Sequence, residues 1–532
     1  MVSLERVFKI ISDVFSADVQ APTEKPEFEN YPYDVAWKGH NQAIRTILNS
    51  DVSILSSPTG TGKTVIYLTA AVESGLKTLV IVPRNRLQED VAGYEDYYRV
   101  PMLYLFDKSK HCNKKETEKS PTPCSKKFRK SGKWYFKYKG EYIEYPCRDC
   151  PYIERKSEIK KLFREGDCIA ILNQGNFWML RGEAEFVIID EADETIRSIT
   201  DAVTYPEVYE SDDPIEVLDW MEGKVLEDID KITKMLEVER DETKLYKLNK
   251  LLDNLERKLM KIAVFKRHPS ELITYVKGRS TYVEWFNQDI VRIAKSIFSG
   301  AKLCLVTATP PQDIKNRVEF TLPFRAKVIY APIGNLSERN VFRKGNEDLL
   351  EKAVDIIIKT YDYAVKISGM RKAPIHCGNL AKHGVKVYEL LKMNGRKAIL
   401  MEEGMQKEYI DKFLSGDYDF FCAVAIEYGY DWSFSPIQYI LKVPFADLGD
   451  PRLQAIRKQL GKEKFNEWYN WDALSRLIQA CGRNARRPDD FGITIILDSC
   501  FGRLYKRYES KIPQWFKDRL VWLGDLDGEG GS

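Results

Sequence analysis

Ser56–Ser57–Pro58–Thr59–Gly60–Thr61–Gly62–Lys63–Thr64 follows an apolar run (Val52, Ile54, Leu55) and precedes a helix-like one from Val65 to Val72. Strand, loop and helix in that order, with Gly-Lys-Thr closing the loop, make a nucleotide-binding loop. Gly60 and Gly62 let backbone N–H groups turn inward around phosphates. Lys63 brings a mobile cation to the β- and γ-phosphates, and the Thr64 hydroxyl is placed to hold Mg²⁺. Ser57, Thr59 and Thr61 complete the cradle. The helix start behind the loop favours the anion further. The motif says nucleotide and leaves open what the energy is used for.

Working outward, Lys77 to Pro83 is a short β-branched run ended by Pro, a second buried strand. Arg84, Asn85, Arg86 and Gln88 follow at the carboxyl end of that strand, where open α/β sheets bind ligands. A contact to a phosphate backbone and a solvated helix start both fit them. Phe186–Val187–Ile188–Ile189 is another buried strand and ends in Asp190–Glu191–Ala192–Asp193. Acidic residues at a strand end, in a chain with a phosphate loop, read as the second half of an NTPase site. Asp190 would hold Mg²⁺ through water, Glu191 would polarise the attacking water, and Asp193 would link the site to neighbouring motifs. Lys302 to Val306 is again a strand, followed by Thr307–Ala308–Thr309–Pro310–Pro311. From about residue 325 the strand–helix alternation starts again, which predicts a second parallel-sheet domain without a second phosphate loop. That half carries Gln479–Ala480–Cys481–Gly482–Arg483–Asn484–Ala485–Arg486. Arg483 and Arg486 are three apart on one helical face and would neutralise γ-phosphate charge if that face meets the first domain.

At 532 residues the chain is too long for one core. With 44% hydrophobic and 30% charged residues it has the composition of a soluble globular protein. The net charge of +3 steers it globally to neither nucleic acid nor membrane, so any basic surface must be local. No apolar run reaches membrane-spanning length, and the first residues lack the apolar core of a signal peptide, so an intracellular, cytoplasmic protein is expected, nucleoid-associated in a prokaryote or archaeon. Some 50 residues precede the nucleotide loop, so no separate exonuclease domain is expected.

Two stretches break the α/β rhythm. Residues 108–139 hold 12 Lys or Arg against two Glu, with Trp134, Tyr135, Phe136 and Tyr138 mixed in. That mixture suits single-stranded nucleic acid, charge for phosphates and rings for stacked bases; a solvated Lys-rich loop is the plainer reading. Cys112, Cys124, Cys147 and Cys150 frame the segment, four of the ten cysteines in 39 residues. In a reducing compartment this crowd suggests a metal or cluster that holds a basic segment together. Spacing alone would favour zinc. The second stretch, 213–262, repeats apolar residues at helical spacing (Val225, Ile229, Ile232, Leu236; Leu245, Leu248, Leu252, Leu255, Leu259, Ile262) on either side of a charged break at 238–243. It reads as an antiparallel helix hairpin inserted for packing.

These pieces, in this order, resemble a superfamily 2 helicase and, more closely, the XPD/DinG group of iron–sulfur DNA helicases. The resemblance runs from YPYD (31–34) to about Trp515. It rests on the phosphate loop, VPRNRLQEDV (82–91), the Cys quartet, IIDEAD (188–193), VTATPP (306–311), IEYGYDW (426–432), VPFADLGDP (443–451) and QACGRNARRPDDFGITIILD (479–498). It implies two RecA-like parallel-sheet motor domains, the first interrupted by an iron–sulfur insert and a helical arch insert. Motor domain 1 would comprise 1–106, 166–204 and 276–322, the iron–sulfur insert 107–165, the arch 205–275 and motor domain 2 residues 323–532. It implies ATP-driven movement on single-stranded DNA, 5′ to 3′, and unwinding with the insert as a wedge. Lys63, Asp190, Glu191, Gln479, Arg483 and Arg486 carry over as ATPase residues; Glu427, Gly429 and Asp431 belong to the coupling motif, with Asp431 toward the nucleotide. Thr64 and Asp190 would hold Mg²⁺, and Cys112, Cys124, Cys147 and Cys150 a [4Fe–4S] cluster. Single-stranded and forked DNA are the implied partners, with repair or replication proteins beside them, for a monomer off the membrane. Three features depart from the group. His40 stands where an adenine-reading Gln is common, with Gln42 two residues on; the tight Cys pair comes last; and the arch is short. The rival readings are an ATP-switched DNA-binding or remodelling protein that separates no strands, and a regulatory module with a decayed site. An RNA substrate is a variant of the first.

Overall fold

The computed structural model describes the chain except for residues 1–2, 18–20, 58–59, 84, 107, 116–120, 148, 167, 287–288, 309–315, 320–324, 344, 347, 425–431, 433, 483–484, 486–489 and 524–532, and the side chains of 85–86 and 108–109. Two seven-stranded sheets, parallel throughout, carry it. In the first the strand order is Arg317–Glu319, Val52–Ser56, Lys302–Thr307, Phe186–Ile189, Thr78–Val82, Ile169–Asn173, Met102–Tyr104. Thr78–Val82 and Phe186–Ile189 are buried at every position, which is why they read as unbroken apolar runs rather than alternating ones. The phosphate-loop strand lies between Lys302–Thr307 and Arg317–Glu319, so the nucleotide loop, the acidic box and the Thr-Ala segment all leave the sheet at its carboxyl edge. The second sheet runs Ala398–Leu400, Phe420–Ala423, Ala373–His376, Ile437–Ile440, Phe491–Asp498, Arg325–Gly334, Leu520–Trp522. The two-domain α/β architecture is therefore the one expected.

The helix Leu4–Ser16 belongs to the second core. Val7, Ile11 and Val14 are buried against Ile329, Ile357 and their neighbours, Phe8 stacks on Tyr363 at 4.4 Å, and Ser12 Oγ bonds Tyr363 OH at 2.8 Å. Three aliphatic side chains buried this way contribute roughly 5–9 kcal/mol as an upper estimate. Residues assigned from sequence order to the first domain thus pack on the second.

Both inserts have sheets of their own. The Cys-bearing one folds as three antiparallel strands, Phe128–Lys130, Lys133–Tyr138 and Glu141–Glu144, followed by the helix Pro151–Glu165. The helical one has Pro214–Val238 and Glu242–Phe265, each capped by an Asp side chain (Asp213, Asp241) that accepts from the first turn. They stand on a three-stranded antiparallel sheet, Val203–Tyr205, Leu272–Lys277 and Ser280–Trp285. That hairpin carries 276–285, read from the sequence as motor domain, into the insert. The same hairpin clasps the second domain. Arg452, on the helix Pro451–Cys481, makes a bidentate pair with Glu284 at 2.6 and 2.8 Å; Lys277 meets Asp450 at 2.8 Å; and Ile273 packs with Leu453, Ile456 and Phe465.

Candidate functional site

The phosphate loop closes on itself through two short-range bonds. Ser57 Oγ and Thr61 Oγ1 share a hydrogen bond of 2.6 Å, and Lys63 Nζ donates to the Ser57 carbonyl at 3.0 Å. Gly60 and Gly62 have φ of +77° and +76°, a region other L-residues enter only at a cost, and Gly62 caps the helix Lys63–Ser74. A side chain at Gly62 is excluded twice over, because a Cβ there would come within 2.7 Å of His40 Cε1. His40 is buried beneath the loop. Its Nε2 lies 2.9 Å from the Thr61 carbonyl and its Nδ1 2.7 Å from Tyr31 OH. Of the aromatic residues upstream, Tyr31 thus supports His40, and Trp37 meets the His40 ring edge-on at 5.7 Å between centroids.

Asp190 leaves the end of its strand opposite the loop. Its Oδ1 accepts from the Glu191 backbone N–H at 2.9 Å and its Oδ2 from Tyr67 OH at 3.3 Å. Tyr67 is fully buried on the phosphate-loop helix, and Thr195 Oγ1 donates to the Asp190 carbonyl at 2.7 Å. Burial and the neighbouring Glu191 charge raise the Asp190 carboxyl to about 6, against the opposing pull of Lys63. A cation placed there would reverse that balance, since it favours the ionised form. Glu191 holds φ +46°, ψ +51°, a left-handed conformation that costs a non-glycine residue on the order of 1–3 kcal/mol. Asp193 accepts from Thr307 Oγ1, which ties the acidic box to the Thr-Ala segment on the next strand. From the second domain, Trp515 Nε1 donates to the Ala308 carbonyl at 3.1 Å.

Sequence reading missed Tyr67 and Thr195. Neither lies in a recognisable motif; the one usable signal was a lone Tyr in an otherwise aliphatic helix. Gln88, weighed as a phosphate contact, is buried and accepts from the Leu105 N–H at 3.3 Å, so its role is to fasten a loop. Thr59, Glu427, Gly429, Asp431, Arg483 and Arg486 lie outside the described residues. Gln479 is described and lines a groove of about 1070 Å³ between the domains, together with Asp193 on the opposite wall. Tyr275, Tyr282, Trp285, Phe286, Trp468 and Trp471 supply rings to this groove, and Arg197, Lys295, Arg476 and Lys511 supply cations.

Cys112, Cys124, Cys147 and Cys150 line one small pocket with Pro123, Phe136 and Pro151. Cys124 and Cys150 are buried, and burial with the Cys150 thiol beside it pushes Cys147 up to about 11. The donor set is chemically that of a thiolate centre. Among the described residues, however, no three Cys, His, Asp or Glu are close enough together to hold a metal ion. The charge of this insert is partly met within the protein: Lys126 pairs with Glu242 at 2.7 Å, Lys127 with Asp253 at 3.7 Å and Arg129 with Glu237 at 3.9 Å, all three acids on the helical insert. No described helix is long and apolar enough to cross a membrane.

Residues 37–94 match the DEAD/DEAH box helicase family and residues 382–519 the helicase C-terminal domain. A search of curated proteins found no match. Among solved structures, one titled "XPD_Helicase" is similar at a TM-score of 0.54 and 14% identity, covering 91% of this chain and 98% of that one. The Xpd4 structure from S. tokodaii is similar at a TM-score of 0.49 and 12% identity, covering 91% and 98%. Two helicase segments, in this order, thus lie on two parallel-sheet domains whose fold is similar to that of an XPD helicase.

Proposed function

We propose that the protein is an ATP-dependent DNA helicase that moves 5′ to 3′ along single-stranded DNA. The observation that carries this reading is the groove between the domains. Asp193, bonded to the Thr307 hydroxyl, and Gln479 both line it, together with aromatic rings and cations. Aromatic stacking and scattered positive charge bind a single strand without regard to sequence. In this reading Lys63 and the inward N–H groups of Gly60, Thr61 and Gly62 hold the phosphates, with Ser57 and Thr59 beside them. Thr64 and Asp190 take Mg²⁺, and Glu191 polarises the attacking water. Gln479, Arg483 and Arg486, with Asp431 beside the nucleotide, approach from the second domain. Each closure would pull Asp193 and Gln479 together and change the grip on the strand.

Cys112, Cys124, Cys147 and Cys150 would hold a [4Fe–4S] cluster, supported by their gathering around one pocket. Such a cluster supplies rigidity to the insert when bound. Lys63→Ala is expected to reduce ATP hydrolysis to background; hydrolysis at the wild-type rate would remove the assigned site. The deciding experiment is ATP-dependent unwinding of two duplexes that differ only in a 5′ or a 3′ tail. Separation of the 5′-tailed duplex alone supports the reading. The rival, an ATP-switched remodelling protein, draws support from Lys126, Lys127 and Arg129, whose charges face acidic helices rather than a strand. It predicts DNA-stimulated hydrolysis with neither duplex opened.

A further inference from the structure

Glu24 ends the two-residue strand Thr23–Glu24, which pairs antiparallel with Ala36–Trp37. The helix His40–Leu48 starts just beyond that pair. Its N-cap is Gly39, at φ +103°, with no side chain to take up the N–H groups of the first turn. Glu24 does this from 15 and 17 positions upstream: its Oε1 accepts from the backbone N–H groups of Gly39 and Asn41, each at 3.1 Å. A carboxylate is also the favoured charge at a helix start. Asn41 returns the contact, its Nδ2 donating to the Lys25 carbonyl at 2.8 Å and its Oδ1 accepting from the Glu27 N–H at 3.1 Å. With the Lys38 N–H on the Pro22 carbonyl at 2.9 Å, residues 22–27 are fastened to 38–41 on both sides of His40.

His40 lies between the two residues that Glu24 holds, and it leads straight to the phosphate loop. Its Nε2 is 2.9 Å from the Thr61 carbonyl, Thr61 Oγ1 shares a 2.6 Å bond with Ser57 Oγ, and the Ser57 carbonyl accepts from Lys63 Nζ at 3.0 Å. This chain of contacts has little slack, because the imidazole is already so near Gly62 that a Cβ there would meet Cε1 at 2.7 Å. Displacing the His40 backbone therefore displaces the loop. Glu27, three residues on from Glu24, pairs instead with Arg45 in the last turn of the same helix, and both of those side chains are exposed.

We propose that Glu24 is a positioning residue for nucleotide binding: its carboxylate sets the start of the helix His40–Leu48 and, through His40, the shape of the phosphate loop, without touching the nucleotide. The proposal rests on the reading that residues 57–64 hold the phosphates of ATP. A cap supplied from outside the helix leaves no local pattern, which is why sequence reading passes over Glu24.

The test is ATP titration of the full chain, with melting temperatures and steady-state hydrolysis measured alongside. Glu24→Ala is expected to weaken ATP binding about fivefold, the size of one lost cap, and to raise KM with kcat little changed. Glu24→Gln, which keeps an accepting oxygen, should recover most of the loss. Because Glu24 acts through His40, the double variant Glu24→Ala/His40→Ala should bind no more weakly than His40→Ala, about tenfold below the wild type, where independent effects would multiply to about fiftyfold. Glu27→Ala should leave ATP affinity unchanged. A lower melting temperature with wild-type ATP affinity in Glu24→Ala makes the residue a structural cap only and overturns the proposal, and so does the multiplied loss in the double variant. If Glu24→Ala does not fold, Glu24→Asp, whose shorter side chain draws the carboxylate back from the two N–H groups, is judged by the same outcomes. A wild type that binds no ATP fails the reading of the loop itself, and the proposal with it.

Discussion

His40 shows how one side chain can fix a phosphate loop without touching a phosphate. A carbonyl oxygen only accepts, so the proton between His40 and Thr61 is on Nε2. Burial lowers the His40 pKa, so the ring is neutral and Nδ1 accepts from Tyr31 OH. His40 therefore reads as a prop beneath Thr61 and Gly62, which gives a physical role to the residue that replaces the group's usual Gln. Because the folded pKa lies below the ordinary value of about 6.5, the unfolded chain binds more protons in that window. The His40 contribution is then present above about pH 6.5 and is lost as the pH falls toward the depressed folded value. His40→Ala removes two hydrogen bonds, each worth roughly 0.5–1.5 kcal/mol. We expect about tenfold weaker ATP binding at pH 7.5 by nucleotide titration, and a flatter dependence of thermal stability between about pH 5 and pH 7. Wild-type ATP affinity together with a wild-type pH profile would refute the prop.

At the scale of elements, the Cys-bearing insert is held by two means. Its own core is small: Phe128, Phe136, Cys124 and Cys150 are buried, with a three-stranded sheet around them. The rest comes from the helical insert, whose Asn249 Nδ2 donates to the Lys127 carbonyl at 2.5 Å and whose acidic side chains meet Lys126, Lys127 and Arg129. Exposed pairs of this kind contribute at most about 1 kcal/mol each and weaken with salt. A bound centre would therefore add more than the ion pairs do. Cys112→Ser is expected to lower bound iron, measured by absorbance and iron assay, and to abolish unwinding while much of the DNA-independent hydrolysis remains. Full unwinding by an iron-free variant would rule out the wedge.

For the whole molecule, the clasp between the Leu272–Trp285 hairpin and the helix Pro451–Cys481 matters most. Glu284 and Arg452 are largely buried, and severing such a pair from one side costs on the order of 3 kcal/mol. The helical insert is thereby joined to the second motor domain as well as to the first. Closure of the motor domains should move it, along with its contacts to the Cys-bearing insert. Fluorescent labels on the insert helices and the second domain should keep a constant separation through the ATP cycle in the wild type, and vary in Arg452→Ala. A wild-type separation that changes with nucleotide would sink the clasp as a rigid link.

The sequence by itself determined the two parallel-sheet halves and the loop and acidic turn at the carboxyl edge of the first. Gly60, Gly62, Lys63 and Thr64 between a strand and a helix, and Asp190–Asp193 after an apolar run, are local patterns, and local patterns survive in one dimension. The central parallel strands of each sheet were legible for the same reason, since strands buried on both faces are unbroken apolar runs, whereas the short, partly exposed edge strands Met102–Tyr104, Arg317–Glu319 and Leu520–Trp522 were not. Tertiary structure alone decided what depends on partners far apart in the chain. The pairing of Tyr67 with Asp190, the seat of Leu4–Ser16 on the second core, and the Glu284–Arg452 clasp join residues separated by 123 to more than 300 positions. Nothing in their local sequence marks them, because each side chain is ordinary for its own helix or strand. Only the closing of the fold brings it to its partner.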